Sequence, residues 1–127
     1  VSVPRNRTAW RVAREDADRL TRRIVSQRGA CQRCRGMGTD TAHIIGRRYG
    51  AVRCDTRNCW WLCRRCHQIV DQDVAAHHRL VVDTIGLELY GELRRTAHRG
   101  LPEPAALFWP ATVRRLAREA AGHGLRV

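Results

Sequence analysis

The stretch CQRCRGMGTDTAHIIGRRYGAVRCDTRNCWWLCRRCHQIVD, residues 31–71, decides how this chain is read. Two residues separate Cys31 from Cys34, and two separate Cys63 from Cys66. That spacing lets both thiolates of a pair reach one ion from a single turn, and two such pairs complete the soft tetrahedral set that Zn²⁺ prefers. A zinc ion held by four thiolates has no open position, so it is expected to hold the fold and to perform no chemistry. Disulfides are the rival reading. The start of the chain, Val1-Ser2-Val3-Pro4-Arg5, has no apolar signal region, so a reducing, cytoplasmic location is the expectation. Cys54 and Cys59 have no CxxC partner and are expected as free thiols, Cys59 buried in a strand.

Working outward, Thr41–Ile45 is short and β-branched and predicts a strand. Gly46 to Asn58 is polar and arginine-rich and predicts a loop. Cys59-Trp60-Trp61-Leu62 predicts a second strand paired with the first, and a helix starts at Arg64. Trp60 and Trp61 face opposite ways on such a strand, one into the core, the other into core or a stacking surface. Upstream, residues 8–28 predict an amphipathic helix with Thr8 as N-cap, Ala13, Ala17, Leu20 and Ile24 at helical spacing, and Gly29 as the stop. Its apolar side is expected over the zinc-bound region, its arginines in solvent or on nucleic acid. Downstream, Val74–Val82 and Leu87–His98 predict helices separated by Gly86. A final helix is expected from about Pro110 to Gly122. The organisation is one domain, 1–127: a basic N-terminal helical segment (1–28), a metal-stapled core (29–73) and C-terminal helices (74–127).

The 127 residues carry 24 Lys+Arg against 12 Asp+Glu, a net charge of +12, and every one of the 24 is arginine. A GC-rich coding sequence explains arginine in place of lysine, but it does not explain the excess of positive charge. A polyanionic partner does. No run approaches the roughly 20 apolar residues that span a bilayer, so no membrane role is expected.

The run Cys31-x2-Cys34, Ala42-His43-Ile44-Ile45, Asn58, Leu62-Cys63-x2-Cys66-His67 resembles an HNH endonuclease, over about residues 29–73. The resemblance implies an α+β, ββα-metal (His-Me finger) core. It implies His43 as general base, Asn58 as the residue that bonds across the loop to hold the base's backbone, and His67 as a ligand of a catalytic Mg²⁺, Mn²⁺ or Ni²⁺. Asp71, one helical turn beyond His67, either shares that ion or is a surface acid. Many members place Asp or His immediately before the base, where Ala42 stands here. The metal must then lean on His67, Asp71 or another carboxylate such as Asp40. Arg47, Arg48 and Arg53 in the loop, and Arg64 at the helix start, are the expected phosphate contacts. His77, His78, His98 and His123 are expected in solvent.

The implied activity is hydrolysis of DNA phosphodiester bonds, weakly specific or nicking, in a protein similar to phage and prophage HNH proteins. Two other readings stay open: a non-catalytic zinc module that binds nucleic acid, and a phage packaging or recombination accessory active only with a partner. The terminal helices have three open roles: packing on the core, binding DNA or dimerising.

Overall fold

The computed structural model describes the backbone from Arg5 to Val127 and side chains from Ala9 onward. Its described residues form an α+β fold of one two-stranded sheet and six helices. Helix α1 spans Arg5–Ser26, strand β1 Asp40–His43, the single-turn α2 Gly50–Arg53, and strand β2 Cys59–Leu62. Then come α3 (Arg64–Gln72), α4 (Val74–Thr84), α5 (Gly86–Arg99) and α6 (Ala105–Gly122). The strands are antiparallel, with Asp40 opposite Leu62 and His43 opposite Cys59. No described helix is long and apolar enough to cross a membrane.

Two tryptophans anchor the sheet, and both are buried. Trp60 packs with Ala42, Ile44, Leu62, Val70 and Leu80, and its indole donates to Thr84 Oγ1 at 2.8 Å. Trp61 packs with Val25 of α1, and its indole donates to the Gly29 carbonyl at 3.0 Å. Gly38 lies so close under this ring that a methyl group there would overlap it. Gly29 itself, at φ +75°, takes the left-handed conformation that ends the α1 segment.

Helix α1 already includes Arg5, so Thr8 lies inside it rather than at its cap. Its apolar side covers the metal-stapled core only in part, through Val25 on Cys59 and Trp61. Ala17, Leu20 and Ile24 pack on Trp109, Leu116 and Ala120 of α6, so the two terminal helices seal one another's faces. That packing also explains why α6 begins five residues before Pro110. Trp109 is buried in the α1–α6 seam and Phe108 lies against it. Pro110 sits inside the helix, where it removes one backbone bond. The apolar contacts on either side of it outweigh that loss.

The segment 46–58, expected as loop, contains α2 and a 3-10 turn at Thr56–Asn58. Neither is long enough to be stable alone. A fully buried asparagine holds them. Asn58 accepts from the Ile45 amide at Oδ1 (2.9 Å) and donates through Nδ2 to the carbonyls of Ile45 and Val52, both at 3.1 Å. Its own carbonyl accepts from the Ile44 amide at 2.8 Å. His77 on α4 completes the set by donating from Nε2 to the Ile44 carbonyl at 2.9 Å. It lies edge-on to Trp60 and is not a solvent residue. All four backbone polar groups of Ile44–Ile45 are thus satisfied just past the end of β1. Replacing Asn58 by Ala strands the Ile45 amide and carbonyl and takes one donor from the Val52 carbonyl, which keeps the Asp55 amide. At about 1–3 kcal/mol for each buried unpaired group, the expected loss is on the order of 3 kcal/mol or more, read from denaturant melts of the zinc-loaded protein.

Candidate metal centre and histidine cleft

The four cysteines converge. Cys31 and Cys34 lie on the turn after α1, Cys63 caps the start of α3, and Cys66 lies in its first turn. All four Sγ atoms lie within 4.8 Å of one another, and Cys34 and Cys63 are 3.8 Å apart. Bonds of about 2.3 Å in a tetrahedron place sulfurs about 3.8 Å apart, so these residues fit a zinc ion with little adjustment. The backbone already points amide protons at the sulfurs: Cys34 N–H at Cys31, Gly36 N–H at Cys34, and Cys66 N–H at Cys63, all at 3.4–3.5 Å. Burial pushes the Cys31 thiol up, but bonds from the backbone of Cys34, Cys63 and Arg33 and from the Cys34 side chain outweigh it and bring the group to about 6. Burial and the crowded sulfurs push Cys66 up to about 11. Thiols held this close cannot all ionise without a cation, which is the chemistry of a metal site. Cys54 and Cys59 stand apart from it. Burial raises both thiols to about 12, so they stay protonated.

A second assembly lies between α1, β1 and α3. A cleft of about 430 Å³ is lined by Asp18, Thr41, His43, Arg47, His67 and Asp71, among others. Thr41 and His43 share the face of β1 that opens onto it. Ala42 turns the other way, into the core beside Trp60, and is 1% exposed. A larger ligand at position 42 would therefore meet packed side chains, which is why an alanine stands there.

The two histidines are held by opposite ring nitrogens. His43 Nε2 lies 3.0 Å from the Arg53 carbonyl. A carbonyl only accepts, so Nε2 carries the proton and Nδ1 keeps the lone pair. Burial lowers the His43 pKa first and the charges of Arg47 and Arg53 lower it further. They outweigh the Arg53 carbonyl bond and the Asp18 charge, so the His43 pKa lies below the ordinary histidine value. His67 Nδ1 lies 3.0 Å from Asp40 Oδ2, and its Nε2 lies 3.4 Å from Asp71 Oδ2. Burial alone would raise Asp40, but bonds from His67, Arg64 and Thr39 hold it at about 2. A carboxylate so firmly ionised fixes the His67 proton on Nδ1. The Nε2 lone pair then faces a second carboxylate, an arrangement that needs a cation or a proton between the two acceptors.

Asp40 therefore orients His67 from behind and does not share an ion with Asp71, since the two carboxylates sit at opposite ends of the ring. Among the described residues the four cysteines form the only group of three or more metal-type ligands, and His67 with Asp71 offers two. The expected phosphate arginines divide. Arg47 lines the cleft with its side chain 63% exposed, and Arg64 projects from α3 at 75% while bonding Asp40. Arg48 stacks on Tyr49 and bonds its hydroxyl. Arg53 is 14% exposed, and its guanidinium is committed to Asp18. Its Nε and Nη2 are taken by Asp18, which leaves Nη1 alone to offer a phosphate. Asp18 of α1 escaped the sequence reading, while Arg22, on the same helix, was expected only as one of the arginines of a face in solvent or on nucleic acid.

Comparison of the chain with models of protein families, with curated proteins and with solved structures finds no match in any of the three. The four-cysteine cluster is accordingly the firmest site. Stripping zinc with a tight chelator should collapse the packing around Trp60 and Trp61 and lower the melting temperature by ten degrees or more, on the scale of structural zinc sites. Near-ultraviolet circular dichroism reads the change, and Cys63→Ser should reproduce it.

Proposed function

We propose that the protein is a metal-dependent endonuclease of the HNH kind, with β1, β2 and α3 as its ββα-metal core, and that it hydrolyses DNA phosphodiester bonds in the histidine cleft. The observation that carries this reading is the opposed setting of the two histidines. One ring is pinned by a carbonyl so that its free nitrogen is basic. The other is pinned by a carboxylate so that its free nitrogen is a ligand. Both line one cleft in a chain of net charge +12.

In this mechanism His43, neutral at physiological pH, takes a proton from the attacking water through Nδ1, while Nε2–H stays on the Arg53 carbonyl and steadies the ring. Asn58 keeps the segment after His43 from shifting, so the base holds its place as the proton arrives. Arg47 in the cleft, and the exposed Arg64 that bonds Asp40 behind His67, offer donors to phosphate oxygens. His67 Nε2 and Asp71 would hold one divalent ion, Mg²⁺, Mn²⁺ or Ni²⁺. That ion supplies positive charge for the crowded phosphate and the leaving 3′-oxygen. The resemblance implies 5′-phosphate and 3′-hydroxyl products. Contacts of this kind read backbone rather than bases, so weak specificity or nicking follows, and affinity falls steeply with salt.

A specific observation favours one further reading. Among the described residues, His67 and Asp71 offer a metal two donors on one face, so a phage packaging or recombination partner could supply what completes the site. The test is nicking of supercoiled plasmid by zinc-loaded protein with each divalent metal, wild type against His43→Ala. The expected outcome is metal-dependent nicking that falls by 100-fold or more in the variant, within the range for loss of a general base (about 10²–10⁴). The acid limb of wild-type activity should lie below about pH 6.5, because the lowered pKa keeps His43 neutral into that range and activity fails only when the ring is protonated. Equal inertness of both proteins with every metal would reject an enzyme that acts alone.

A further inference from the structure

Helix α1 lies outside the β1–β2–α3 unit, yet one of its carboxylates reaches into the ground on which His43 stands. Asp18 takes Arg53 in a two-pronged ion pair, Nε to Oδ1 at 2.9 Å and Nη2 to Oδ2 at 2.8 Å. The thiol of the next residue, Cys54, donates to the same Oδ1 at 3.4 Å. Arg53's own carbonyl is the acceptor for His43 Nε2. Asp18 and His43 thus hold one residue from its two ends.

That residue closes α2, a helix of four residues. One turn has no stability of its own, so where its last carbonyl points is decided by what anchors the turn. Asn58 anchors it at the Val52 carbonyl, and Asp18 anchors it at the Arg53 side chain and the Cys54 thiol. Both Asp18 oxygens are used in this grip, which leaves the carboxylate poorly placed to serve as a metal ligand in the cleft it also lines.

We propose that Asp18 is a positioning residue for His43. By fixing Arg53 it fixes the carbonyl that sets the tautomer and tilt of the imidazole, and so makes the N-terminal helix part of the reactive site. The proposal rests on the reading of His43 as the base, and it deepens that reading. A purely structural ion pair would cost stability when broken and leave the His43 ring as it was. A positioning pair moves the ring.

The experiment uses full-length, zinc-loaded protein. Ring ¹⁵N chemical shifts of His43 report its tautomer, and metal-dependent plasmid nicking reports kcat and KM. In wild type the Nε2–H tautomer should dominate. In Asp18→Asn, which keeps the shape but loses the charge and one acceptor, the ring should populate both tautomers. Its kcat should fall on the order of 10- to 100-fold, the penalty of a misplaced reacting group, with KM changed less than about twofold. Asp18→Glu should restore most of both. Arg53→Gln, which leaves the backbone carbonyl in place but removes the partner, should repeat the tautomer change and serves if Asp18→Asn does not fold. An unchanged His43 tautomer in the folded variants overturns the proposal, whatever their stability. The two readings also fail separately. An inert wild type whose His43 ring responds to Asp18→Asn rejects the nuclease and keeps the positioning role. An active wild type with an unresponsive ring does the opposite.

Discussion

Asn58 is the point on which the rest of the arrangement turns. β1 ends at His43, and the chain must leave the sheet there without exposing or stranding the polar groups of Ile44 and Ile45. A buried amide that gives and takes at Ile45, and reaches Val52 as well, solves that problem in one side chain. The cost of burying an unpaired backbone group is what makes the solution rigid: any movement of the segment breaks several bonds at once with no water to replace them. His77 adds the last bond from α4, so the exit of the strand is fixed from two elements distant in sequence. His43 inherits its position from this knot. Its ring then rests on Arg53, whose turn the same asparagine holds.

A division of labour follows. The cysteine cluster joins the turn after α1 to the start of α3, and in doing so sets the distance between β1 and the helix that carries His67. Its sulfurs are served by backbone amides and by Arg33, and none of them lines the histidine cleft. The cysteine site thereby helps to fix where the cleft lies while standing outside it. The cleft in turn draws one wall from α1, which α6 clamps in place along Leu20, Trp109 and Leu116. A fold with so small a sheet needs both devices, because neither the strands nor the four-residue turn would hold alone.

The parts legible in the sequence were those whose geometry is local. CxxC spacing is itself a statement about one turn of backbone, so the convergence of Cys31, Cys34, Cys63 and Cys66 could be read directly. The strand Cys59–Leu62 and the start of α3 at Arg64 followed from residue type and spacing in the same way. The pairing of His67 with Asp71 followed from helical periodicity. What escaped was set by tertiary contact. Asp18 looked like any acid on a charged helix, and nothing in the chain announces that Arg53, 35 residues on, will claim it. Pro110 marks a helix start by local rule, but Phe108 and Trp109 packed in the α1–α6 seam carry the helix through it. His77 carried no sign that a carbonyl freed at the end of β1 would need a donor. Ala42 read as a missing ligand, when the face it occupies belongs to the core.

In the proposed nuclease the two histidines have different tasks: His43 handles a proton, and His67 with Asp71 holds a divalent ion. Electron paramagnetic resonance of Mn²⁺ titrated into zinc-loaded His43→Ala protein with a short DNA duplex tests it most directly, since that variant should bind without cutting. The account predicts one bound Mn²⁺ per chain, lost when His67→Ala is added. Mn²⁺ that binds equally well without His67, or no bound Mn²⁺ in His43→Ala where wild type holds one, would contradict it.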